Sequence, residues 1–294
     1  MNLWQAIAAD ISATTGQPFH IASRRALGGG CINAVLVVEG DGQRWFVKTN
    51  EAAKLAMFKA ESEGLRELAG AGTIRVPQPL CHGVAEGTAY LVMEHIEFGQ
   101  GGEKIARRLG EQLAALHRVT APTFGWRRDN VIGATHQENT PATEWIEFWR
   151  TRRLGFQLDL AARHGASASL LRGGEKLLDA LPALFADYQP LPALLHGDLW
   201  GGNYAADVHG KPVIFDPAVY YGDREADLAM TELFGGFPPG FYAAYQAAWP
   251  LAPGYQTRKT LYNLYHVLNH FNLFGGGYAH QAQRMIAGLL AELR

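Results

Sequence analysis

The sequence predicts an α+β protein in two lobes: a small β-rich lobe, then a larger and mainly helical one. Three observations carry that prediction. Short β-rich runs fill the first hundred residues, and from Gly101 onward the apolar spacing turns helical. The chain has 294 residues, 48% of them hydrophobic and 18% charged, enough for a sizeable core and unlike a disordered or collagenous chain. Its 34 glycines cluster at 28–30, 101–102, 173–174, 201–202, 235–236 and 275–277, as turns and close backbone approaches to a ligand require.

A helix over Leu3–Ala13 opens the chain. β-rich runs follow at Phe19–Leu27, Ala34–Glu39, Arg44–Lys48, Leu80–Val84 and Ala89–Glu94. The segment Glu39-Gly-Asp-Gly-Gln43 is a hairpin turn signal, and one helix, Ala53–Ala69, interrupts the runs. A short hinge near Met93–Phe98 places the domains at 1–94 and 95–294. In the second domain helical periodicity covers Lys104–Val119, Trp145–His164, Glu175–Tyr188, Pro239–Trp249, Thr257–Phe274 and Ala279–Leu293. Two short apolar runs, Ala193–His196 and Val213–Asp216, read as a hairpin that delivers its polar ends to a site. The tetrapeptide GGEK, at 101–104 and 173–176, reads each time as a helix start. Ligand clefts commonly lie between such lobes.

Composition removes several function classes. Lys plus Arg number 26 against 28 Asp plus Glu, and the pI is about 6.6, so no basic nucleic-acid surface is expected. No apolar run approaches the roughly 18 residues of a membrane helix, and the N-terminus lacks the pattern of a secretory signal. The two cysteines, Cys31 and Cys81, form no CxxC, which excludes a disulfide scaffold and a four-thiolate zinc site. A reducing cytoplasm is the expected compartment. GxxxxGK[ST], HExxH and GxSxG are all absent.

The strongest chemical signal is His196-Gly-Asp-Leu-Trp-Gly-Gly-Asn203, followed by Ile214-Phe-Asp-Pro217. An Asp with an Asn five residues on, and a second Asp closing an apolar run, are the residue types phosphoryl transfer needs. One carboxylate orients a hydroxyl and accepts its proton; an amide oxygen and a second carboxylate suit Mg²⁺ against nucleotide phosphates. The plain alternative is a polar turn between two strands.

The strings HGDLWGGN and FDPAVYYGDREADLAM resemble the fructosamine kinase (ketosamine 3-kinase) family, a branch of the aminoglycoside-phosphotransferase-like, protein-kinase-like fold. LGGGCINAV is similar to that family's phosphate loop, FVKTN to its ATP lysine, MFKAESEGL to its helix glutamate and LVMEHI to its hinge. FGWRRDNVIGATHQENT and the Trp145–Arg153 segment extend the likeness, which spans roughly residues 24–232. The resemblance implies a bilobal kinase-like fold with ATP between the lobes. It gives Asp198 the catalytic base position and Asn203 and Asp216 the metal positions. Lys48, Glu61, Met93, Glu94, Ile96 and the loop Gly28, Gly29, Gly30 and Cys31 would take the nucleotide. Gly197 stands where protein kinases place Arg, and Pro217 follows Asp216 in place of Phe, which weighs against a protein kinase. The implied reaction is transfer from ATP, with Mg²⁺, to the 3-hydroxyl of a ketosamine, free or protein-bound, as a deglycation repair. Fructosamine, ribulosamine and erythrulosamine all stay open as acceptors. The rivals are a same-fold kinase for an aminoglycoside or choline, and a nucleotide-binding pseudoenzyme. Residues 101–294 hold 18 basic and 18 acidic residues, without the acidic excess an aminoglycoside pocket needs. Monomer and homodimer stay open.

Other residues have readings of their own. Lys48 ends the strand Trp45-Phe-Val-Lys48, and Glu61 lies on the apolar stripe of Met57, Leu65 and Leu68, so an inward carboxylate needs a cation. Lys48 is the partner the resemblance supplies. The Gly28–Gly30 tip suits phosphate contact through backbone N–H groups. Cys31 beside it is a candidate for oxidation, against a plainer reading as a small hydrophobe; Cys81 reads as packing. Trp200 offers a ring face to a sugar or packs in the core. Asp129, Asn130, Gln137 and Asn139 are polar enough for sugar hydroxyls and equally suit side-chain-capped turns. Asp223 and Asp227 fall on one helix face, with Asp227 placed to brace the catalytic loop. His117 reads as a satisfied buried histidine. The C-terminal aromatics run at helical spacing and read as core.

Overall fold

The computed structural model of the chain describes residues 2–28 and 32–293. Two compact units are formed. One is the chain up to Gly101 together with Ala205–Pro217; the other is Gly102–Tyr204 and Ala218 onward. A single cut at residues 94 and 95 therefore gives way to a discontinuous first unit. The physical reason is pairing: Gly99 N–H donates to Ala206 O at 2.9 Å, Phe98 bridges Asp207, and Arg75 bridges Val213.

In the first unit, α1 (Leu3–Thr15) starts in a capping box of Asn2 and Gln5 and stops at Gly16, whose φ of 71° is the left-handed stop common to helices. Five strands follow: β1 (Ser23–Leu27), β2 (Ala34–Gly40), β3 (Gln43–Glu51), and, after α2 (Leu55–Gly70), β4 (Pro79–Ala85) and β5 (Thr88–Glu94). They form one antiparallel sheet in the order β1-β2-β3-β5-β4. Asp41 and Gly42, with φ of 47° and 75°, make the β2–β3 turn, the Asp-Gly pair this hairpin geometry favours. The strand expected over Phe19–Leu27 is shorter, because Phe19 turns into the core and its N–H donates to Ser12 Oγ. Ile7 and Ile11 of α1 pack with Phe19, Val38, Val47, Tyr90 and Val92 on one face of the sheet. Burial of side chains like these contributes roughly 1.5–3 kcal/mol each.

The second unit begins with α3 (Glu103–His117), then a small hairpin of β6 (Asn130–Ile132) and β7 (Thr135–Gln137). Next come α4 (Trp145–Trp149), a π-helical stretch Arg150–Gly155, α5 (Phe156–Arg163), α6 (Ala168–Leu184) and β8 (Ala193–Leu195). The chain re-enters the first unit with β9 (Tyr204–Ala206) and β10 (Pro212–Ile214). It then completes the second with β11 (Tyr220–Gly222), α7 (Arg224–Leu233), α8 (Pro239–Ala248), α9 (Tyr255–Phe274) and α10 (Tyr278–Glu292). Most of α9 is buried, tyrosines included, in line with its aromatic spacing. Among the described residues no helix is long and apolar enough to cross a membrane.

Three expectations are corrected here. The runs Ala193–His196 and Val213–Asp216 do not pair with each other; β8 pairs with β11, and β10 closes locally on β9. The single helix over 145–164 is interrupted by its π-helical stretch, where Gly155 leaves room for Arg150 O, only 2.4 Å from a would-be Cβ. The second GGEK is not a helix start. Ser167 caps α6, its side chain accepting from Leu170 N–H, and Gly174 lies inside the helix because a Cβ there would meet Leu158 at 2.6 Å.

A similar close approach joins α3 to α8, where a Cβ on Gly110 would lie 2.2 Å from Phe241 O. Alanine favours a helix over glycine by about 1 kcal/mol, whereas overpacking against backbone costs about 1–3 kcal/mol. Gly110→Ala is therefore expected to lower the urea midpoint at unchanged m-value. A raised midpoint would show that the two helices part freely.

Candidate active site

The alternation of β3 sets the candidate residues of the first unit. Val47 enters the core beneath α1, so Lys48 points to the opposite face, where α2 runs. There the Lys48 ammonium donates to Glu61 Oε1 at 2.6 Å, so the cation that the inward carboxylate needs is the lysine the resemblance supplies. The same ammonium donates to Asp216 Oδ1 at 2.6 Å, a contact that sequence spacing does not reveal. The Lys48 side chain is 5% exposed and that of Asp216 49%. Burial alone would push Lys48 toward its neutral form; Glu61 and Asp216 outweigh it and hold the ammonium charged. Burial raises Glu61, with Lys48 opposing and the charge of Asp216 adding to the rise. One positive charge against two carboxylates leaves the trio one negative charge, which a cation complements. Asp216 has φ of 58°, uncommon for a non-glycine residue and a conformation that costs on the order of 1–3 kcal/mol. Phe215 before it stacks on Phe98 at 5.4 Å.

The other expected nucleotide residues of this unit divide by environment. Met93 and Ile96 are buried at the end of β5. Glu94 donates its N–H to Gln78 O, and its carboxylate accepts from Arg75 at 2.6 Å. Arg75 also donates to the buried Asp207, clamping the end of β5 to the turn that precedes β10. Arg75 went unnoticed in the sequence, since a lone arginine before a proline-rich loop carries no signal. Gly28 follows β1, and Asn50 Nδ2 donates to Asn33 Oδ1 at 2.8 Å where the chain returns to β2. Gly29, Gly30 and Cys31 lie outside the described residues. Cys81 is half-buried and packs against the core; burial, with Asp10 adding, pushes its thiol up to about 12.

In the second unit β8 delivers His196, Gly197 and Asp198. Gly197 has φ of 81°, and a Cβ there would lie 2.1 Å from Ala218 O, so no other residue fits. Asp198 is half-buried and its N–H donates to His196 Nδ1 at 3.2 Å. Asn203 Nδ2 donates to Asp198 O at 2.9 Å and to Asp198 Oδ2 at 3.3 Å. With its nitrogen so committed, the oxygen is the end of this amide that can meet a hard cation. Asp198 and Asn203 are thus fixed in one turn. Asp227 of α7 accepts from His196 N–H at 2.7 Å and Gly197 N–H at 2.8 Å, the bracing its position suggested. Asp223 does not share its helix face; it is the N-cap of α7 and accepts from Glu225 N–H.

Trp200 is 40% exposed, which removes the core-packing alternative. Its ring covers Gly202 and meets Phe234 edge-on at 6.4 Å. The expectation for Asn130, Gln137 and Asn139 is corrected: all three are buried and bonded to protein. Asn130 Nδ2 donates to Val219 O, Gln137 Nε2 to Asn130 Oδ1 and Ala218 O, and Asn139 Nδ2 to Asn130 Oδ1. They hold the segment after Asp216-Pro217 and are not turned toward a sugar. Asp129 is half-exposed, accepts from Asn139 N–H and meets His136 at 3.3 Å. Arg153, from the π-helical stretch, is fully buried, donates to Asn139 Oδ1 at 2.6 Å and lies 4.2 Å from the Tyr220 ring centre. Within Arg150-Thr-Arg-Arg153 nothing in the sequence sets it apart from the arginines beside it.

The chain matches the fructosamine kinase family model over residues 3–292. It is 53% identical over 285 residues to a Synechocystis protein named a probable ketoamine kinase, covering 96% of this chain and 95% of that protein. It is 42% identical to the chloroplastic protein-ribulosamine 3-kinase of Arabidopsis thaliana over 96% of this chain and 86% of that one. The solved structure of a candidate fructosamine-3-kinase from Haemophilus somnus superposes with a TM-score of 0.90 at 29% identity, covering 98% of this chain and 97% of that one.

The buried Lys48–Glu61 pair, with half-exposed Asp216 beside it, makes an asymmetric prediction. Removing one partner of a buried pair costs about 3–5 kcal/mol when a charge is stranded. Lys48→Met strands Glu61, whereas Glu61→Gln leaves Lys48 its bond to Asp216. In a urea-denaturation cycle Lys48→Met is expected to cost more than Glu61→Gln, and the double variant less than their sum. Additive losses would show that the two side chains act independently.

Proposed function

Because the chain belongs to the fructosamine kinase family, we propose that it transfers the γ-phosphoryl group of ATP to the 3-hydroxyl of a ketosamine, free or carried on a protein. The observation that carries the reading is the turn in which Gly197 and Asp227 hold Asp198 and Asn203 in one fixed arrangement. The names of its relatives, ketoamine kinase and protein-ribulosamine 3-kinase, support the acceptor class.

Each residue has a derivable part. Lys48, kept charged by two carboxylates, is a point charge for the α- and β-phosphates. The resemblance assigns the phosphates to the loop of Gly28, Gly29, Gly30 and Cys31, and Met93, Glu94 and Ile96 would line the base. Asp216 and the Asn203 amide oxygen are each hard oxygen donors of the kind Mg²⁺ takes, and the family resemblance gives both the metal positions; the ion would supply charge neutralisation on the triphosphate. Asp198 orients the acceptor hydroxyl and takes its proton as the new O–P bond forms and the bond from the γ-phosphorus to ADP breaks. Trp200 offers its exposed ring to the sugar's C–H face, and Asp129 remains within the proposed acceptor region. A 3-phosphate is a leaving group, so its elimination frees the amine and the reaction serves deglycation. A reducing cytoplasm is the compartment we assign, on cysteine usage.

The test is ADP release measured across ketosamines of different sugar length, with aminoglycosides and choline alongside. Turnover is expected on ketosamines. Turnover on choline or an aminoglycoside alone would overturn the reading. Asp198→Asn is expected to lose about 10²–10⁴-fold in kcat, as loss of a general base does, with ATP affinity nearly intact by calorimetry. Near-parent activity in that variant would remove Asp198 from the base position.

A further inference from the structure

Beyond Trp200 the second unit carries a continuous track of aromatic rings. Trp200 meets Phe234 with ring centres 6.4 Å apart, and Phe234 lies 5.0 Å from His270. His270 in turn lies 5.7 Å from Phe274 and 5.2 Å from Tyr278. The rings come from the turn after β8, the end of α7, the end of α9 and the start of α10. Trp200, Phe234 and Phe274 are 40%, 45% and 60% exposed. Apolar side chains exposed singly are ordinary, whereas exposed rings that touch one another mark a surface used for binding.

The track is held in place before anything binds. His270 Nδ1 lies 2.8 Å from His266 O; a carbonyl only accepts, so Nδ1 donates and the imidazole at the centre of the group is fixed. Rings already fixed lose little freedom when they are covered. The backbone beside them is bare. Gly235-Gly236 follows Phe234, and Gly275-Gly276-Gly277 follows Phe274. A Cβ on Gly235, Gly275, Gly276 or Gly277 would meet nothing within 4 Å, so crowding does not account for these glycines. Gly235, Gly236, Gly276 and Gly277 are exposed. Open main-chain N–H and C=O groups beside apolar rings match a polypeptide, which brings the same groups and apolar side chains of its own.

The track starts where the acceptor is assigned. Trp200 is two residues from Asp198, and a Cβ on Gly236 would lie 3.2 Å from Gly201 Cα, so the glycine loop abuts the turn of residues 196–203. A sugar seated on Trp200 and borne by a chain must send that chain out over the neighbouring surface. We propose that the rings of Phe234, Phe274 and Tyr278 bind the polypeptide that carries the ketosamine, taking apolar side chains next to the modified lysine and favouring lysines with such neighbours. The three ring-to-ring steps from Trp200 to Phe274 cover at most about five residues of extended chain, at roughly 3.3–3.6 Å each. The inference rests on the ketosamine reading of the acceptor.

The test uses short synthetic peptides with one ketosamine-bearing lysine, flanked either by phenylalanine and leucine or by serine and glycine. The sugar is the one the parent chain turns over best. Rates are read by ADP release, and binding by calorimetry without nucleotide. An aromatic contact contributes a factor of about 2–12 in affinity. The apolar-flanked peptide is therefore expected to exceed the other by about that factor in kcat/KM, through KM and with kcat alike, as uniform binding requires. In Phe274→Ser and in Phe234→Ser the ratio between the two peptides is expected to fall toward one. Both side chains are exposed, and a urea midpoint for each variant shows whether it is folded; where one is not, the other decides. A parent chain that does not distinguish the peptides, or folded variants that keep its ratio, overturns the proposal. Light scattering tests the rival occupant: a parent dimer that Phe274→Ser converts to a monomer, with the peptide ratio unchanged, would assign the track to a second copy of this chain and overturn the proposal as well. A parent chain without turnover on any ketosamine defeats the functional reading, while the calorimetric ratio of the two peptides still decides whether the track binds apolar flanks.

Discussion

One ammonium group between two carboxylates is the constraint around which the first unit is built. Lys48 and Glu61 are near neighbours in sequence, but Asp216 arrives from 168 residues further on. A buried lysine cannot stay charged without partners, so the strand that alternates Lys48 away from the core requires both acids. That requirement, with the Arg75 clamp on Glu94 and Asp207, explains why a late segment belongs with the early sheet.

The turn of residues 196–203 is made rigid by a different device. Its glycine removes steric resistance and its hydrogen bonds restore direction. Gly197 lets the backbone pass against Ala218, Ala218 N–H donates back to His196 O at 2.9 Å, and Asp227 takes the two remaining amides. The polar network of Asn130, Gln137 and Asn139 with Arg153 holds the strand on the other side of that crossing. Polar side chains here use their hydrogen bonds to hold shape.

Local features were legible in the sequence. The Asp-Gly turn and the sheet strands follow from short-range pattern, and the inward Glu61 in need of a cation follows from a helix stripe, with Lys48 as the partner the family resemblance supplied. Long-range choices were not. Ala193–His196 and Val213–Asp216 each have the composition of a strand, but nothing in either names its partner, and the real partners are Tyr220–Gly222 and Tyr204–Ala206. Gly173-Gly174 looked like a helix boundary because glycine is a poor helix former; the absence of a side chain at Gly174 is there for the packing of Leu158. Asn130, Gln137 and Asn139 announced a need for partners without saying that the partners are protein. The motif of residues 196–203 was read from residue types and from the family resemblance, while the close approach of Ala218 O to Gly197 leaves no contiguous trace.

The discontinuity of the first unit has a consequence for how the molecule is made. Synthesis is vectorial, so the five-stranded sheet leaves the ribosome long before residues 205–217 exist. During that interval Lys48 has Glu61 but not Asp216, and Arg75 has Glu94 but not Asp207. The nascent sheet therefore lacks two of its ion-pair partners, and the intervening 103 residues, Gly102–Tyr204, must be extruded before they arrive. Completion of the early unit thus waits on the late one, which couples the two in time and makes a chain terminated before residue 216 unable to assemble the charged trio at all.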